Sequence, residues 1–123
     1  MNVFLLAASA ASFITFALHT WLGGPEVAGP LLRSGDMRNV AKYTNYYCWH
    51  LVTIMLFAMG CALVWAAYNP DGIELAWFML FLALSFMVWN LWLLVWKKQS
   101  FIKMPQWFLF LVISVFTGLG VAS

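Results

Sequence analysis

Two histidines, His19 and His50, are the residues whose chemistry is most open to use in this chain. A neutral imidazole is a common transition-metal ligand and an axial ligand of haem iron. Helical spacing of three and four residues places Tyr46, Tyr47 and Thr53 on the His50 face. Ser12 and Thr15 line up beneath His19 in the same way. Asn90 lies seven residues before Lys97 and brings a further polar group to a similar depth. Glu26, Asp36 and Cys48 are close enough in sequence to add a carboxylate or a thiolate. Two chemistries fit such a layer. His19 and His50 can hold haem or a transition metal between facing helices, with Tyr46, Tyr47, Asn90 and Glu26 in support. Otherwise they make interhelical hydrogen bonds, His19 to a tyrosine or to loop backbone. Two imidazoles underfill a zinc site and no His-x-x-x-His pair occurs, so the identity of any metal is left open.

No catalytic residue is expected. Ser9, Ser12, Ser85 and Ser114 have neither a nucleophile context nor an acidic partner, and read as packing residues, as do Gly118 and Gly120. No Asp or Glu lies inside a long apolar run, which removes the carboxylate that couples ions in a small multidrug pump. Gly23-Gly24-Pro25 reads as a helix stop rather than a phosphate loop.

The elements that must position these groups follow from composition. Of 123 residues, 65% are hydrophobic and 8% charged, with a mean hydropathy of +0.90. A soluble domain carries about a quarter charged residues, so this chain cannot clothe itself in polar surface. Residues 1–25, 43–70, 75–96 and 104–123 contain no Asp, Glu, Lys or Arg. About 20 residues of helix cross a hydrocarbon core, whereas barrel strands alternate over about ten. The expected fold is all-α: an integral membrane bundle of four transmembrane helices in a single domain, residues 1–123. The helices are expected at about 3–22, 38–68, 72–97 and 105–121. Gly23-Gly24-Pro25 should end the first, Asp36 should cap the second, Asp71 and Glu74 have capping-box spacing for the third, and Pro105 suits the first position of the fourth.

All six basic residues, Arg33, Arg38, Lys42, Lys97, Lys98 and Lys103, fall in the first and third connections. Positive-inside reasoning makes that side cytoplasmic and places both termini on the periplasmic or external side of the inner (plasma) membrane. A cleaved signal peptide is not expected, because no basic n-region opens the chain. Trp21, Tyr43, Tyr46, Tyr47, Trp49, Trp96 and Trp107 read as an interfacial belt. Cys48 and Cys61 are thirteen residues apart on one helix, about 20 Å, too far for a mutual disulfide.

The run His19-Thr20-Trp21-Leu22-Gly23-Gly24, then Pro30-Leu31-Leu32, then Trp49-His50, resembles a group of small bacterial membrane proteins without an assigned activity. In that group a first-helix His precedes a Gly-Glu or similar pair, a Pro-Leu follows, and Trp-His opens the second helix. Gly24 stands where Glu is frequent, and Glu26 is the nearest acid. The resemblance spans the first half of the chain. It implies a four-helix fold and directs attention to His19 and His50, and implies no activity.

The function expected is that of a non-enzymatic accessory or assembling subunit with a polar histidine layer near the cytoplasmic side. The alternative is a haem- or metal-binding membrane protein using His19 and His50, and the third choice a small transporter. Membrane lipids and either a second copy or a larger membrane complex are the expected partners, and nucleic acid is not. If the two histidines share a ligand or network, losing either should cost about as much as losing both.

Overall fold

A computed structural model describes all 123 residues and contains helices but no strands. The elements are α1 (Val3–Leu18), a π-helical stretch (His19–Ala28), α2 (Gly29–Arg33), α3 (Asn39–Tyr68), a short 3-10 turn (Pro70–Gly72), α4 (Ile73–Trp96) and α5 (Gln106–Ala122). Three continuous rods are long and apolar enough to cross a membrane: Val3–Arg33, Asn39–Tyr68 and Pro70–Trp96. The fourth, Gln106–Ala122, has 17 residues and spans about 25 Å.

The first rod departs from expectation. Gly23-Gly24-Pro25 does not end it; the helix widens from His19 and continues to Arg33. In an α-helix the proline ring would strike the carbonyl four residues earlier and leave it without a donor. A five-residue ladder relieves that conflict, and the Gly29 N–H closes it by donating to the Gly24 carbonyl. No glycine has a positive φ, so neither Gly23 nor Gly24 acts as a left-handed cap. Gly23 is small for another reason: a Cβ there would lie 2.8 Å from the Trp49 ring.

The other expected caps are also replaced. Asp36 does not cap α3, which starts at Asn39 behind an extended Arg38. Asp71 sits inside the 3-10 turn, and α4 begins at Ile73 behind Gly72 with no side-chain cap; Glu74 occupies its first turn, where an acid suits the dipole. Pro105 is the residue before α5 rather than its first, and Asn90 on α4 accepts the Trp107 N–H at 2.9 Å. An acceptor borrowed from a neighbouring helix thus takes one of the free amides at the start of α5. At the far end of α4, Lys98 adopts φ 53°, and Gln99 N–H donates to the Leu94 carbonyl at 2.9 Å. This is a Schellman closure with lysine in place of glycine.

Packing runs around the bundle in the order α3, α1, α5, α4. The small face of α1, with Leu5, Ala8, Ser9 and Ser12, is buried between α3 and α5. Asn2 ties three helix ends together. Its Oδ1 accepts the Leu5 N–H at 3.2 Å, its Nδ2 donates to the Gly120 carbonyl at 2.7 Å, and its own N–H donates to the Ala67 carbonyl at 2.8 Å. The opposite end is looser: no residue from 39 to 55 on α3 is buried. The core therefore sits in the half that holds the termini and the tight turn, around Leu56, Met59, Leu63, Met79 and Ile113.

Candidate functional site: the α1–α3 polar seam

Three polar side chains of the first rod, two on α1 and His19 at the start of the π-helical stretch, face α3, and all three meet backbone carbonyls. Ser9 Oγ donates to the Gly60 carbonyl at 2.8 Å, and Ser12 Oγ to that of Leu56 at 2.9 Å. One level up, His19 Nε2 lies 3.2 Å from the Trp49 carbonyl and 3.0 Å from Thr53 Oγ1. A carbonyl only accepts, so the bond to Trp49 is made by the Nε2–H form of the neutral imidazole, while the Thr53 hydroxyl can meet either form. Thr53 Oγ1 in turn donates to the Trp49 carbonyl at 3.2 Å. The carbonyl is thus a shared acceptor for two helices. Antiparallel packing explains the pattern, because Ser9, Ser12 and His19 ascend the first rod while Gly60, Leu56 and Trp49 descend α3.

Trp49 completes the upper level. Its ring stacks on the His19 imidazole, with centroids 3.9 Å apart and 19° between planes. It also lies against the Gly23 backbone, where any side chain would collide. His19 is therefore held by a hydrogen bond on one edge and an indole on one face.

His50 takes different neighbours. It is exposed on α3, makes no hydrogen bond within the chain, and meets the edge of Tyr46 at 4.7 Å and 84°. Tyr47 and Glu26 are exposed as well. Asn90 is engaged with the start of α5. Cys48 and Cys61 are both free and exposed. Nowhere do three or more His, Cys, Asp or Glu side chains gather closely enough to hold a metal ion. The residues expected to share one layer thus fall into two sets: His19 with Thr53 and Trp49, and His50 with Tyr46.

Sequence reasoning placed Thr53 on the His50 face, but its hydroxyl turns toward His19. The acceptor for His19 was not legible, since a backbone carbonyl has no side-chain signature. Ser9 carried one available signal, its three-residue spacing from Ser12 on the face that also bears His19. Trp77, Trp89 and Trp92, all on α4, point outward, each more than half exposed.

No protein-family model, curated protein or solved structure matches the chain.

Proposed function

We propose that this chain is a four-span protein of the inner (plasma) membrane that works as a non-enzymatic assembling subunit. The basic connections face the cytoplasm and both termini face outward. The observation that carries this reading is the use made of the polar side chains. Ser9, Ser12, Thr15, Thr117 and His19 all engage backbone carbonyls of their own chain. Ser9, Ser12 and His19 tie the first rod to α3, Thr15 and Thr117 bond back within their own helices, and none of the five converges on a substrate. The remaining resource is perimeter: only 22 of 123 residues are buried, and α4 alone exposes Trp77, Phe78, Phe81, Trp89 and Trp92. In a membrane, where lipid is as apolar as leucine, packing and interhelical polar contacts drive association. A short α5 is accommodated by local thinning or by the apolar residues that precede it.

Native mass measurement in nanodiscs or mild detergent tests the assembly. The expected species is larger than one 14.0 kDa chain and discrete in size. Free monomer at every concentration would remove the reading. Orientation is tested separately with a reporter active only in the cytoplasm. Fused after Ser123 it should remain inactive, while insertion in the loop bearing Arg38 should give activity. The reverse result would overturn the assigned sidedness.

A further inference from the structure

Charge is unevenly divided between the two ends of the bundle. The first connection carries Arg33, Arg38 and Lys42 and the third Lys97, Lys98 and Lys103, with Glu26 and Asp36 as the only carboxylates toward that end. Six cations against two carboxylates leave a net +4 there. The opposite end holds Asp71 and Glu74 and no lysine or arginine. None of the six cations forms an ion pair or donates a side-chain hydrogen bond within the chain, although Asp36 stands between Arg33 and Arg38. The positive end is thus left uncompensated by its own chain.

The first connection holds its cations in place more closely than the third. Lys42, Tyr46, Trp49, Thr53 and Leu56 recur at helical spacing on α3, and the last three meet the first rod. Lys42 shares the partial burial of that stripe and is the one basic residue that is not exposed. Arg33 folds back over its own helix, so that a Cβ at Gly29 would lie 3.1 Å from its Nη1. Because α2 packs against α3, Arg33 and Lys42 flank one seam, and Arg38 stands in extended backbone where the chain enters α3. Side chains already restrained lose less freedom when an anion binds. In the third connection Lys97 is drawn over the Trp96 ring at 4.0 Å, and Lys98 and Lys103 are exposed.

A chain that crosses a bilayer meets phospholipid headgroups at both ends, and the charge of each end selects among them. Arginine offers a phosphate a planar fork of donors and lysine a point charge. An anionic headgroup carries net negative charge that a zwitterionic one lacks, and basic residues near the surface respond to it. We propose that the rim formed by Arg33, Arg38 and Lys42 binds the headgroup phosphate of an anionic phospholipid. This rests on the membrane-spanning reading and adds the class of lipid that one end selects.

Tryptophan fluorescence supplies the test, because Trp49 lies two turns from Lys42 on the same side of α3. The chain is reconstituted into phosphatidylcholine vesicles with a rising fraction of phosphatidylglycerol brominated on its acyl chains, or of brominated phosphatidylcholine as reference. Bromine quenches the indoles that it touches. Half-maximal quenching should need about fivefold less of the anionic lipid, the equivalent of about 1 kcal/mol. Salt at about 1 M, which shortens the screening length from about 10 Å to about 3 Å, should narrow that difference, and a preference that salt leaves intact is not electrostatic and overturns the proposal. The triple variant Arg33→Gln, Arg38→Gln, Lys42→Gln should lose the preference, whereas Lys97→Gln, Lys98→Gln, Lys103→Gln should keep it. Arg33→Lys, Arg38→Lys, Lys42→Arg should keep it too, which separates charge from packing. No preference in the parent chain, or a loss that follows the third connection instead, overturns the rim as the site. Relief of quenching by inorganic phosphate at constant ionic strength would assign the rim to free phosphate and overturn the lipid. Flotation separates the two readings: a chain that does not float with the vesicles after an alkaline wash overturns both, and one that floats without a lipid preference overturns only this one. Both ends meet lipid in a vesicle, so the outcome is independent of sidedness in the cell.

Discussion

Gly120→Leu is expected to destabilise the bundle by about 3 kcal/mol, with a clearly lowered thermal midpoint in detergent. A Cβ at Gly120 would lie 2.7 Å from Leu5 Cγ and 3.2 Å from the Leu5 backbone nitrogen. Leu5 is fully buried on α1 and its backbone is fixed by the Asn2 cap, so neither neighbour has room to withdraw. Extra carbons would push α5 off α1. Gly118 provides the control, for nothing lies within 4 Å of a Cβ built there. Gly118→Leu should change the midpoint little. Equal effects from the two substitutions would show that α5 does not approach α1 as described.

The second large effect is expected at His19. His19→Ala removes the imidazole from the Trp49 ring and takes away a donor to the Trp49 carbonyl. The expected cost is about 2 kcal/mol, combining a lost polar contact with a small cavity. A double-mutant cycle identifies the partner. With Thr53→Val the two losses should not add, because the hydroxyl and the imidazole share one acceptor; a coupling of about 1 kcal/mol is expected. With His50→Ala the losses should add within about 0.5 kcal/mol, because His50 lies in a separate set of contacts. Coupling to His50 and none to Thr53 would restore the single histidine layer expected from sequence.

These outcomes bear on what a sequence reader can see. Helix placement was legible because charged residues are expensive in an apolar rod and so collect where rods end. The connection bearing Lys97, Lys98 and Lys103 falls between α4 and α5, and the Asn69-Pro70-Asp71-Gly72 turn closes α3 against α4. The end of the first helix was misread because glycine and proline are local signals, and the local rule lost to a tertiary contact. Trp49, thirty residues away from His19, needs the space that Gly23 leaves. The polar layer was half legible for the same reason. Its histidines are visible as side chains, but the acceptor that holds His19 belongs to the backbone. Asn90 looked like a member of that layer by depth alone, and direction around α4 assigned it to the start of α5 instead.

The knot at Asn2 has a consequence in time. Its bond to the Gly120 carbonyl links residues 118 positions apart, so closing that end of the bundle is an event of very high contact order. During synthesis α1 can pair with α3 early, but the groove above Leu5 and Ala8 stays open until α5 emerges. For that interval the first hairpin presents a vacant berth that any α5 fits, including one from a neighbouring chain. Exchange of the last helix between nascent copies is therefore the misassembly to which this topology is most exposed.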